Sequence, residues 1–99
     1  MLKTKKPEVD TIMTFKLTTG EEIIGEYQGS HLENYLVKRP LSLIMAEMPG
    51  SPHQTQVVFT PWMLALADDE VARIKRDCVI AKAPARKDAA DQYTAATRP

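Results

Sequence analysis

Ninety-nine residues, 43% of them hydrophobic and 26% charged, suffice for one small globular domain with a modest core and leave no length for a second. The formal net charge is zero, which excludes a surface coated in positive charge for duplex DNA but still permits a local basic patch. No apolar run approaches the ~20 residues of a membrane span, and Lys3, Lys5 and Lys6 are not followed by an apolar signal segment, so a cytoplasmic protein is expected.

Residues 1–10 carry three lysines, Pro7 and two acids without an apolar period, and read as an N-terminal arm. From Ile12, the apolar Met13, Phe15 and Leu17 alternate with Thr14, Lys16 and Thr18, the period of a strand with one buried face. Thr18-Thr19-Gly20-Glu21 predicts a tight turn in which Gly20 takes the left-handed conformation. Ile23, Gly25 and Tyr27 then alternate with Ile24, Glu26 and Gln28, and the two runs make a hairpin. Gly25 falls mid-strand, where glycine marks a sharp bend or the close approach of another backbone.

Asn34 to Met48 is a long apolar segment interrupted at Lys38-Arg39-Pro40, and predicts a strand kinked at the proline. Pro49-Gly50-Ser51-Pro52 is a loop. Gln54 to Ala67 predicts a further strand, with Val57, Val58, Phe59 and Trp62, broken at Pro61. Trp62 reads as core or subunit interface, and Asp68-Asp69-Glu70 as a solvated turn. Val71–Ile74 and Cys78–Ala83 are the last short strands, about a turn at Lys75-Arg76-Asp77, with Cys78 expected to be buried in its strand and Pro84 ending it. Beyond Ala85, the helical spacing of Ala89, Tyr93 and Ala96 predicts a short C-terminal helix, which must dock on the sheet or fray.

The stretch Phe15-Lys-Leu17-Thr-Thr-Gly20-Glu-Glu-Ile23-Ile-Gly25-Glu-Tyr27 resembles the first sequence motif of the Sm, LSm and Hfq superfamily, with Leu17, Gly20, Ile23, Gly25 and Tyr27 at its key positions. Asn34-Tyr35-Leu36-Val37 is similar to the family's loop asparagine leading into its third strand. The run from Val71 to Val79 resembles the second motif, with Lys75 at the family's arginine and Arg76 in place of its glycine. Ser30 stands at the family's loop aspartate and Leu32 at its base-stacking position. Within the superfamily the chain looks most like small Sm-like proteins encoded by marine phages.

The resemblance implies an all-β domain over residues 11–84, a strongly bent, five-stranded antiparallel barrel in which Gly20 and Gly25 are structural, followed by a helix or tail over 85–99. It implies a head-to-tail homo-oligomeric ring of roughly five to seven subunits, closed by the last strand of one subunit on the fourth strand of the next. Single-stranded RNA at the pore is the implied ligand: Asn34 would bond a base edge, His31 or Tyr35 would stack, and Lys75 or Arg76 would meet backbone or base. Each residue also has a plain structural role available: Asn34 as a turn residue, Tyr35 in an interface, Lys75-Arg76 as an exposed turn. A structural or protein-interaction ring without an RNA pocket therefore stays open.

Catalysis is not expected. Two histidines and one cysteine, without Cys-x-x-Cys or His-x-x-x-His spacing, predict neither a metal site nor a cofactor. Nothing in the sequence orients His31, His53 and Cys78 as nucleophile and base, and no Gly-Lys-Ser/Thr phosphate loop is present.

Overall fold

The structure is a computed structural model that describes residues 11–98; the arm expected over residues 1–10 lies outside the described residues. Strand β1, Thr11–Leu17, buries Met13, Phe15 and Leu17 on one face, as the alternation predicts. It pairs antiparallel with β2, Glu22–His31. The turn closes through Leu17 N–H to the Glu21 carbonyl (2.8 Å) and Gly20 N–H to the Leu17 carbonyl (2.9 Å), with Gly20 at φ 91°.

Strand β3, Asn34–Met48, runs along β2, but the register jumps between Ile24 and Glu26 because Arg39 and Pro40 bulge out of the ladder. Pro40 has no N–H to give a neighbour, and Arg39 takes φ 48°, a rare conformation for a residue with a side chain. Gly25 lies opposite this bulge and is buried. A Cβ there would run into the Val37 Cγ1 and sit 3.0 Å from the Lys38 carbonyl oxygen. The bend expected at the glycine is thus produced jointly by a bulge in one strand and a missing side chain in the other.

The strand expected over 54–67 is corrected in position. β4 spans Ser51–Pro61, so the loop before it shrinks to Pro49-Gly50, and the chain leaves the sheet after Pro61. Trp62 stays anchored: its backbone N–H donates to the Pro40 carbonyl (3.1 Å), its indole N–H to the Glu21 carboxylate (3.0 Å). Glu21 also accepts from the buried Ser42 hydroxyl (2.6 Å), so one carboxylate ties the first turn to β3 and to the chain after β4. Residues 63–70 then cross in turns before β5, Val71–Lys75.

Both β4 and β5 pair with β3, β4 along Leu41–Met48 and β5 along Asn34–Lys38. They are two halves of one interrupted fourth strand, so six strands fill the five positions of the expected all-β sheet. Strand β6, Val79–Pro84, pairs with β1 and closes the order β4-β3-β2-β1-β6. The core of Met13, Phe15, Leu17, Ile23, Tyr27, Val37 and Ile74 lies inside the bend.

Cys78 corrects a second expectation. It is exposed in a 3-10 turn over Arg76–Cys78, because pairing with β1 begins only at Val79; its own carbonyl accepts the Thr18 N–H (2.8 Å). Helix α1, Lys87–Thr97, docks through Tyr93, which is fully buried. The Tyr93 hydroxyl donates to the Lys38 and Arg39 carbonyls (3.1 and 2.9 Å), backbone groups that the bulge turns out of the ladder. Arg98 and Arg39 both pair with Glu26 beside it (3.2 and 2.9 Å).

Candidate nucleic-acid interface

The loop between β2 and β3 is as short as a hairpin allows. His31 and Asn34 face each other across Leu32-Glu33. Leu32 adopts φ 56° and is 77% exposed, so the apolar residue at the tip points into solvent at some backbone cost. On its other side Asn34 faces Lys75 of β5. His31, Asn34 and Lys75 therefore form a row across three strands, and directly opposite residues share a face with Cβ atoms roughly 5 Å apart. The turn after β5 is tied to the same place, since Arg76 N–H donates to the Glu33 carbonyl (2.9 Å). The fold thus brings together four of the five residues singled out from the sequence.

Tyr35 is placed differently. It opposes Ile74, a core residue, so its ring turns inward, 6.2 Å from the Phe15 ring and 6.1 Å from Tyr27. The Lys82 ammonium of β6 sits over both tyrosines, 5.4 Å from the Tyr27 centroid and 5.6 Å from Tyr35, a cation–π arrangement. Tyr35 is thereby packed into the edge of the core instead of standing beside His31.

Two basic residues join the face unannounced. Leu36 opposes Arg73, and Lys38 opposes Val71, on the same side of the sheet as Asn34 and Lys75. The buried Ala72 and Ile74 fix this alternation, and it was legible in the sequence as the period of two in Val71–Lys75. Among the described residues, no ion pair neutralises Lys38, Arg73, Lys75 or Arg76, whereas Arg39, Arg86, Lys87 and Arg98 are each held by a carboxylate. Glu33 and Asp77 lie within the two loops and temper the charge at their tips. Lys38, Arg73 and Lys75 lie on one face of the β3–β5 pair.

These groups can bond a base edge through an amide, present an imidazole face, and meet phosphates with ammonium and guanidinium groups.

A model of the Sm_like domain matches residues 14–94, from within β1 to Thr94 of α1. The chain belongs to the Sm_like family. No curated protein matches it. In this Sm-like domain Asn34 and Lys75 lie on segments that carry the motif resemblance, and the matched span ends within α1.

Other chemistry finds less support in the geometry. Among the described residues no three His, Cys, Asp or Glu side chains gather to hold a metal ion. His53 lies on the β3–β4 hairpin and His31 at the end of β2, on different parts of the sheet. A cavity of about 340 Å³ beside the bulge is lined by Arg39, Leu41, Met63, Leu64, Leu66 and Asp68 among others, with Arg39 already engaged by Glu26. No helix among the described residues is long and apolar enough to cross a membrane.

Proposed function

We propose that this Sm-like protein closes into a homo-oligomeric ring of roughly five to seven subunits and binds single-stranded RNA at its pore, acting by binding and not by catalysis. The observation that carries the reading is the row His31–Asn34–Lys75, with Arg76 fastened to the same loop. Asn34 reads a base edge, His31 supplies a planar face, and Lys75 and Arg76 meet the backbone, with Arg73 and Lys38 extending the basic face. A cytoplasmic site of action and a kinship with phage-encoded Sm-like proteins belong to this reading.

Ring closure follows from the open edges. β6 exposes Ile80 (65%) on one flank of the sheet, and β4 and β5 form the other flank. Head-to-tail pairing of unlike edges covers both without ending. Light scattering at micromolar concentration is expected to give a closed multimer; a monomer overturns the ring.

A ring without an RNA pocket is the second reading, favoured by Leu32 at the position where the family stacks a base and by the inward ring of Tyr35. Titration of fluorescent oligo-U and oligo-A, single-stranded and duplex, at two salt concentrations separates the two. Single strands are expected to bind better, because only splayed bases reach such a loop. Asn34→Ala is expected to cost about 1–3 kcal/mol and leave the salt slope intact. Lys75→Ala is expected to weaken all sequences alike and lower the slope by about one. No binding at low salt by an intact ring decides for the second reading.

A further inference from the structure

The basic face does not stop at the loop row. Behind the pair Asn34 and Lys75, the next pair on the same face of β3 and β5 is Leu36 with Arg73, and the next is Lys38 with Val71. From Asn34 to Lys38 the strand covers about 13 Å, at roughly 3.3 Å per residue. Neither Asn34–Lys38 nor Val71–Arg76 contains an aspartate or a glutamate, in a chain whose formal net charge is zero. Arg73, Lys75 and Arg76 are exposed and Lys38 is half-buried. The two paired strands therefore carry an acid-free stripe of cations that begins at the loop row.

The other end of the stripe is equally defined. Glu26 of β2 lies opposite Lys38 and so shares its face, but Arg39 and Arg98 already bond this carboxylate (2.9 and 3.2 Å). Lys38, Arg39 and Arg98 thus stand around a single carboxylate, and positive charge stays in excess there. Immediately beyond, the exposed acidic residues Asp68-Asp69-Glu70 lead into Val71. A polyanion that follows the stripe is attracted as far as Lys38 and repelled past it. At 3.4 Å per nucleotide of a stacked strand, about 13 Å holds at most about four nucleotides. Cations at fixed intervals along paired strands fit a chain of repeating anions. The amide of Asn34 and the imidazole of His31 at the near end select a chain that also carries bases.

The geometry points to a strand path: a single-stranded RNA segment leaves the base contact at Asn34 and runs along the β3–β5 face, with Arg73 and Lys38 meeting successive phosphates, and ends short of Glu70. This path rests on the RNA reading of the loop row and adds its course, its length and its end. The other available course passes from one loop row to that of the neighbouring subunit and uses neither Arg73 nor Lys38.

The test is titration of the full chain with fluorescent hexauridine over a range of salt concentrations, using the wild type and the variants Lys38→Gln, Arg73→Gln and Lys75→Gln. Lys16→Gln is the control, because Lys16 is exposed on β1 and removes the same charge outside the stripe. Each of the three stripe variants is expected to lower the affinity and to reduce the salt slope by about 0.7, the value for one phosphate of a single strand. Lys16→Gln is expected to change neither. Loss in Lys75→Gln with none in Lys38→Gln and Arg73→Gln overturns the path and leaves the loop row as the RNA site. An equal loss in Lys16→Gln also overturns it, because the cations would then act through a diffuse field. A duplex of the same length that binds as tightly as the single strand overturns it too, since a duplex offers Asn34 no splayed base. No binding of hexauridine by the wild type at low salt removes the RNA site itself and the path with it.

Discussion

Gly25→Val is expected to lower the melting temperature by roughly 5–20 °C, taking about 1–3 kcal/mol for overpacking and a few degrees per kcal/mol in a domain of this size. Space is short on three sides. A Cβ would overlap the Val37 side chain, sit 3.0 Å from the Lys38 carbonyl oxygen and 3.4 Å from the Pro40 Cα. Val37 is itself fully buried and cannot swing away, and the other two neighbours are backbone. Relief requires β3 to move at its bulge, where the Tyr93 hydroxyl holds the Lys38 and Arg39 carbonyls. Gly25→Ala is expected to fall between the two. Thermal unfolding followed by circular dichroism reads the effect, and an unchanged melting temperature for the valine variant contradicts the close approach.

That approach was visible in the sequence because a glycine inside a strand pattern has few other physical causes. The alternation of Met13, Phe15 and Leu17 was equally legible, since a strand with one buried face must repeat every two residues. The division of the fourth strand was not. Pro61 announced an interruption, but the apolar run Trp62 to Ala67 has the composition of a strand. What turns it out of the sheet is long-range: the Pro40 carbonyl and the Glu21 carboxylate take the Trp62 donors. Cys78 failed for a related reason. Its neighbours Val79 and Ile80 made it look like a strand residue, yet the turn from β5 to β6 needs Arg76–Cys78 to complete itself.

The candidate site was legible in composition and only partly in arrangement. Asn34 and Lys75 are far apart in the chain, and the β3–β5 register that makes them neighbours is a long-range pairing that no local pattern gives. The orientation of Tyr35 was readable in principle. It shares parity with Val37, which has to face the core, so its ring could not point the same way as Asn34. The same parity places Arg73 with Lys75. Reading each strand for both of its faces would have placed Arg73, and not Tyr35, on the face of Asn34 and Lys75.

Tyr93→Ala is expected to destabilise the protein by about 3–5 kcal/mol, the usual cost of removing a buried aromatic ring. Helix α1 is expected to detach with it, since Tyr93 is its one buried side chain. Tyr93→Phe isolates the hydroxyl: the Lys38 and Arg39 carbonyls lose its donated hydrogen bonds, at about 1–3 kcal/mol. Alkaline pH supplies a test that simple packing loss does not share. Burial holds the Tyr93 proton above its ordinary value near 10, and the Glu26 carboxylate adds to this while Arg39 and Arg98 oppose it. The unfolded phenol therefore ionises at lower pH than the folded one. Its contribution to stability is complete below about pH 10 and declines as pH rises beyond that value. Phenylalanine has no such proton, so the stability gap between wild type and Tyr93→Phe is expected to narrow from pH 8 to pH 11 in urea unfolding. A gap that stays constant would mean that the folded protein does not hold the Tyr93 proton above its ordinary value.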